Sequence, residues 1–171
     1  MQMVKKAALF ILLFWVALIV FMPKEELYFS LEKVLAKQGI EINEAKISEG
    51  MFSLDLQELT IYAKGIKVAT VQEIQCFTLL FYTKITMDNI SVDKALSSMI
   101  PVKLEKVQLT HSILLPMKVA LTGEGDFGQA TGSIDLSERK IHIDFEKSEK
   151  LGSLRRQLKK GEEGWYYEIN Y

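Results

Sequence analysis

Ala7 to Met22 reads AALFILLFWVALIVFM, an unbroken apolar run of sixteen residues. As a helix rising 1.5 Å per residue it covers roughly 24 Å, short of a hydrocarbon core of about 30 Å. Extending back through Lys6, Lys5, Val4 and Met3 closes the gap, because lysine stems lie along acyl chains while their ammonium groups reach the headgroups. The run is apolar all round, whereas a helix lying on a soluble core shows a single stripe. Lys5 and Lys6 precede it, and Lys24 beyond it is balanced by Glu25 and Glu26. The positive-inside bias therefore puts the N-terminus in the cytoplasm and everything after Met22 outside it. A cleaved signal peptide shares the charged start, but cleavage needs small residues after the apolar run, where this chain has Ile19-Val20-Phe21-Met22-Pro23. The expectation is an uncleaved single-pass anchor over residues 1–22, with Lys5, Lys6, Leu9, Phe14, Trp15, Ile19 and Phe21 as its membrane residues. Residues 23–171 then form one external domain.

Without Lys5 and Lys6 the 21 basic residues fall to 19 against 22 acidic ones, so the external part has a net charge of −3. That balance gives no case for nucleic acid. One cysteine excludes an internal disulfide and any multi-cysteine metal site.

Pro23 to Gly39 has the marks of a helix. Proline suits the first helical position, Glu25 and Glu26 complement the dipole, and Gly39 supplies a stop. Leu27, Tyr28, Leu31, Val34 and Leu35 form one apolar face, which is expected to pack on the sheet that follows. From Ile40 the period changes to two, over Ile40–Ile47, Phe52–Tyr62, Ile66–Val71, Ile74–Phe81, Ile85–Val92, Val102–Ile113, Met117–Leu121, Ser133–Leu136, Ile141–Phe145 and Trp165–Tyr171. This density of alternating segments predicts a mostly β, antiparallel domain. Lys94–Met99 reads as a short helical crossover. Ser148–Lys160 reads as a second helix, basic on its exposed side.

One pattern recurs. Ile40-x-Ile42-x-x-Ala45-x-Ile47 has apolar residues at positions 1, 3, 6 and 8. So do Leu54, Leu56, Leu59 and Ile61; Ile85, Met87, Ile90 and Val92; and Val102, Leu104, Val107 and Leu109. Either each block is two short strands around a corner, or a bulge keeps its apolar residues on one side. Repeated bulges curl a sheet into a half-barrel or trough with an apolar inner face. The twelve residues of the last three blocks are the candidate groove or core. The fold class expected is therefore mostly β with flanking helices: one transmembrane helix, then a curved antiparallel sheet packed by an amphipathic helix.

Catalytic signals are weak. His111 and His142 belong to no metal-ligand spacing. Cys76 lies in an apolar segment with nothing beside it in sequence to lower its pKa. Gly123-Glu-Gly125-Asp-Phe-Gly128 lacks the ending of a phosphate loop and places carboxylates where phosphate would sit, so turn glycines explain it. The chain reads as a non-enzyme with no cofactor and no metal.

The order of elements carries a resemblance. A single span leads through Phe21-Met22-Pro23 into an amphipathic helix. Then follow Glu44-Ala45-Lys46-Ile47, the block from Gly50 to Ile61, and late in the chain Gly132-Ser-Ile-Asp-Leu-Ser-Glu-Arg-Lys-Ile-His-Ile143. This arrangement resembles the AsmA-like bacterial envelope proteins, above all the type II secretion system protein N family. The resemblance implies attachment to the bacterial inner membrane, a periplasmic β domain, no catalysis, and other envelope or secretion-system proteins as partners. The alternative expectation is a lipid-binding or lipid-transfer groove of AsmA-like or lipopolysaccharide-export type, with lipid as the partner.

Overall fold

The computed structural model describes residues 2–79, 81–94, 96, 103–161 and 164–171, with the backbone alone for 148–150, 152 and 153. Two helices come first, α1 (Gln2–Val20) and α2 (Lys24–Lys37). Eleven strands follow: β1 (Ile40–Asn43), β2 (Lys46–Glu49), β3 (Ser53–Ala63), β4 (Ile66–Leu79), β5 (Tyr82–Val92), β6 (Leu104–Ser112), β7 (Lys118–Gly125), β8 (Gly128–Asp135), β9 (Lys140–Phe145), β10 (Lys159–Lys160) and β11 (Trp165–Asn170). All join one antiparallel sheet in the order β1-β3-β4-β5-β6-β7-β8-β9-β11-β10, with β2 end to end with β1 along the outer edge of β3. The mostly β fold with flanking helices is as the periodicity predicts.

Each strand from β3 to β6 breaks its alternation at the same level. Leu54↔Cys76, Leu56↔Ile74, Leu59↔Val71 and Ile61↔Ala69 pair across β3 and β4. Cys76↔Ile85, Ile74↔Met87, Val71↔Ile90 and Ala69↔Val92 continue into β5. Between these apolar pairs the ladder skips Glu58 and Gln72 from β3 to β4, Gln72 and Asn89 from β4 to β5, and Asn89 and Glu105 from β5 to β6. Glu58 and Asn89 adopt φ of +53° and +52°, in the left-handed region that few side chains enter without cost. On the polar side Asn89 Nδ2 donates to Gln72 Oε1 at 2.7 Å, linking the two strands at the kink.

The kink resets the pleat, so Leu54, Leu56, Leu59 and Val71 meet in one buried cluster with Ile61, Ile74, Cys76, Met87 and Ile90 packed around them. Both explanations of the recurring spacing are met. Ile40–Ile47 is two short strands around a corner. β3, β4 and β5 run on through a kink that keeps their register, and true register shifts lie at Ile61/Tyr62 and Leu104/Lys106. Glu105 is the extra residue of β6 against β7, where Leu104↔Gly125 is followed by Lys106↔Glu124. Beyond β6 the alternation is regular.

Several sequence boundaries change. Ile40–Ile47 is two strands, broken at Glu44-Ala45 beside the Glu58 kink, where Ala45 N–H donates to Gln57 O at 3.1 Å. Ile66–Val71 and Ile74–Phe81 are one strand, β4, continuous through its own kink. β8 starts at Gly128, earlier than Ser133, because Gly-Gln-Ala-Thr-Gly carries no apolar alternation to reveal it. Ser148–Lys160 is not an α-helix: Ser148–Gln157 is a 3₁₀ segment, and Lys159–Lys160 form β10. Leu151 and Leu154, three apart, share one face of that tighter turn and pack with Phe127, Ala130, Ile143 and Phe145. The expected crossover at Lys94–Met99 falls largely, and the strand start at Val102 wholly, outside the described residues.

The kink gives the first prediction. Asn89→Val, a β-branched residue at positive φ, should lower stability by about 1–3 kcal/mol, whereas Asn89→Gly should lose much less. Urea unfolding of the detergent-solubilised chain, followed by far-ultraviolet circular dichroism, measures the difference.

Candidate functional site

The apolar side of the sheet is hollow. A cavity of about 370 Å³ opens between the helices and strands β3 to β5. Its floor is Leu54, Leu56 and Leu59 of β3, Ile74, Cys76 and Thr78 of β4, and Ile85 of β5. Its walls are Ile19 at the end of α1, Met22 in the link, and Leu27, Tyr28 and Leu31 of α2. Lys24 stands in the lining as its one charged side chain among the described residues, with Nζ 3.3 Å from Glu49 Oε1. That pair fixes the start of α2 over the end of β2.

The helix packs on the sheet as its spacing leads one to expect, through Tyr28, but leaves much of its apolar stripe uncovered. Tyr28 is the buried residue of α2, while Leu27, Leu31 and Val34 stay 52%, 55% and 51% exposed. The reason is where α2 rests: it packs on β1 and β2, at the sheet edge, rather than over the middle. Tyr28 O–H donates to Glu44 Oε2 at 2.7 Å in the β1–β2 break, which ties the helix to that edge. Burial and the neighbouring Glu44 push the phenol far above its ordinary range, so it stays protonated as the donor.

The twelve sequence candidates divide. Leu54, Leu56 and Leu59 are buried, and Ile61, Met87 and Ile90 pack against them. Ile85 lines the cavity, and Val92 is half-buried opposite Ala69. Val107 and Leu109 are half-buried further along the same face, opposite Met87 and Ile85. Leu104 belongs instead to the second cluster with Phe127, Ala130 and Leu151, because the β6 bulge turns it toward the β7–β8 hairpin. Val102 lies outside the described residues. The sequence reading missed the whole contribution of β4, although Ala69-x-Val71-x-x-Ile74-x-Cys76 repeats the same spacing.

The anchor residues also divide. Leu9, Phe14 and Phe21 are exposed, as are Lys5 and Lys6. Trp15 and Ile19 meet the domain: Ile19 is buried, and the Trp15 ring centroid lies 6.0 Å from that of Phe81. The apolar helix and the sheet therefore share a contact, which hydropathy alone does not reveal.

Several polar groups outside the hollow have structural partners. Gly128, with φ +84°, closes the β7–β8 turn in which Phe127 is buried, as the turn-glycine explanation requires. His111 Nε2 lies 3.1 Å from Pro116 O, and His142 stacks on Tyr166 between Asp144 and Glu168. Lys140 at 2.8 Å, with Lys159 and His142 beside it, holds the Glu168 carboxyl down to about 2. Among the described residues no three His, Cys, Asp or Glu side chains are grouped to hold a metal ion.

Cys76 is the thiol among the described residues of the lining. Burial pushes its thiol up, against a smaller opposing effect from Thr78. Since the thiolate is the nucleophile, alkylation of Cys76 by iodoacetamide should be slower at pH 7 than for an exposed cysteine and should still be accelerating above pH 9. Mass spectrometry of the modified chain across pH measures this. The chain matches no family model, no curated protein and no solved structure, so the hollow itself carries the functional reading.

Proposed function

We propose that this chain is a single-pass, membrane-anchored protein whose hollow sheet holds the acyl chain of a membrane lipid. The carrying observation is the apolar cavity of about 370 Å³, within the roughly 300–1,000 Å³ of ligand pockets. The cavity is open on one side and its lining is almost wholly apolar, so water held there finds few hydrogen-bond partners. Filling it with hydrocarbon returns about 0.8 kcal/mol for each buried methylene.

The source of the occupant is argued from the walls. α1 is the one described helix long and apolar enough to cross a membrane, and its Ile19 forms part of the lining. A chain entering from the bilayer would therefore pass from lipid to protein without crossing water. Lys24 at the lining suits an anionic headgroup, although its present partner is Glu49. In this proposal the N-terminus is cytoplasmic, and the sheet stands outside a bacterial inner membrane. There the chain is a non-enzymatic component of a secretion or other envelope machine, the setting that the resemblance to type II secretion protein N and AsmA-like proteins implies.

Native mass spectrometry of the full chain, released from nanodiscs of phosphatidylethanolamine and phosphatidylglycerol, tests the proposal. The wild type should carry a phospholipid adduct. Cys76→Trp, which puts an indole into the hollow, should lose most of it while keeping the wild-type circular dichroism, and Ile85→Trp provides a second filling variant. A wild-type chain without adduct, or filled variants that retain it, would overturn the reading.

A further inference from the structure

The antiparallel order places the β4–β5 and β6–β7 turns side by side at one end of the sheet. Ile113 N–H donates to Phe81 O at 2.9 Å, and Tyr82 pairs with Ser112. Both turns present apolar side chains outward: Leu114 is 86% exposed, Leu115 63% and Phe81 50%. Neither Thr78–Thr83 nor Ser112–Met117 contains a charged residue. A contiguous apolar patch of this kind on a soluble surface marks a contact with something apolar.

We propose that these two turns form a rim that seats in the surface of the same bilayer that α1 crosses. The occupant of the patch is lipid for three reasons. The first is continuity, since Phe81 in the rim touches Trp15 of the apolar helix. Trp15 lies seven residues before Met22, about 10 Å down a helix, so its neighbour sits at a depth where headgroups give way to acyl chains.

The second reason is the backbone of the β6–β7 turn. In lipid every backbone donor needs a partner within the protein. Ile113 N–H bonds Phe81 O, Leu114 N–H bonds Ser112 Oγ at 3.3 Å, and Leu115 N–H bonds Ser112 O at 3.0 Å. Pro116 has no N–H to satisfy, and its carbonyl faces His111 Nε2. Three N–H groups of the turn are thus paired within the protein, as a segment entering lipid requires.

The third reason is what stands behind the tips. Lys84 and Lys118 follow the two turns, and Tyr82 sits between tip and body. Aromatic rings and long basic stems at that level suit the headgroup layer. The neighbouring β8–β9 turn carries exposed Leu136 but also Glu138 and Arg139, which sets it at the headgroups rather than below them.

The proposal rests on α1 lying in the membrane and is independent of what fills the cavity. Its test uses the full chain in vesicles of phosphatidylethanolamine and phosphatidylglycerol. In a Cys76→Ala background, an environment-sensitive fluorophore is attached at Leu114→Cys, at Lys67→Cys on the opposite end of the sheet, or at Phe10→Cys in α1. Nitroxide on the lipid acyl chains should quench the label at 114 several-fold more than the label at 67, and aqueous iodide should do the reverse. A label at 114 as open to iodide as the one at 67, with the label at 10 quenched by lipid, would overturn the rim and leave the anchor standing. If lipid quenches neither 10 nor 114, anchor and rim fall together. Leu115→Cys replaces Leu114→Cys if that variant does not fold.

Discussion

The kink row through Glu58, Gln72, Asn89 and Glu105 is the constraint on which the rest of the structure depends. A strand with apolar residues three apart would ordinarily turn one of them to the opposite face, because its side chains alternate with a period of two. A lone irregularity would break pairing with its neighbours. Here the irregularities are aligned from β3 to β6, so each strand shifts its pleat where its neighbours do, and the ladder resumes on the far side. The β6 bulge then absorbs the difference against the regular β7. A bulge bends its strand and increases its twist, and irregularities repeated at one level are a general means of curving a sheet. The cavity opens on the apolar face beside this row, lined by Leu54, Leu56 and Leu59 of β3, Ile74 and Cys76 of β4 and Ile85 of β5.

A hollow face needs cover, and the chain supplies it unevenly. At one end Tyr28 of α2 and Ile19 of α1 reach inward. At the other, Leu151 and Leu154 of the 3₁₀ segment pack over Phe127 and Phe145. Between them Val107, Leu109 and Leu121 remain half-buried on the same face. The cover at the α end is narrow because Tyr28–Glu44 and Lys24–Glu49 hold α2 at the β1–β2 edge. An amphipathic helix with Leu27 and Leu31 more than half exposed is not finishing a core; it is lining an opening.

Much of this was legible in sequence because apolar spacing reports the face a residue occupies. The blocks at Leu54–Ile61 and Ile85–Val92 announced an irregular strand, and residues such as Leu56 and Leu59 lie where that pattern puts them. Spacing alone could not choose between a corner and a bulge, since that depends on whether neighbouring strands break at the same level. Nor did it join the halves of β4, because Gln72-Glu73 looks like a loop when no partner strand is in view. Helix signals failed differently. Leu151, Leu154 and Leu158 fit an α-helical stripe and a 3₁₀ face about equally well. The α2 stripe was real, but hydropathy cannot say whether a stripe meets protein or lipid. The contact between Trp15 and Phe81 left no local signal, as it joins residues far apart in the chain.

The energetic consequence links the fold to its setting. Leu59 and Leu151 are the large side chains buried completely among those described, a thin interior for a sheet of eleven strands. A single sheet layer is stable only when its apolar face is covered, and most domains use a second layer for that. The described residues cover the face in part and place the open part beside the apolar helix. A ligand or bilayer that binds the folded state alone adds its binding free energy to stability by mass action. In the proposed reading, the hydrocarbon that occupies the hollow completes the layer the sequence leaves unfinished. Binding and folding are then two aspects of one burial.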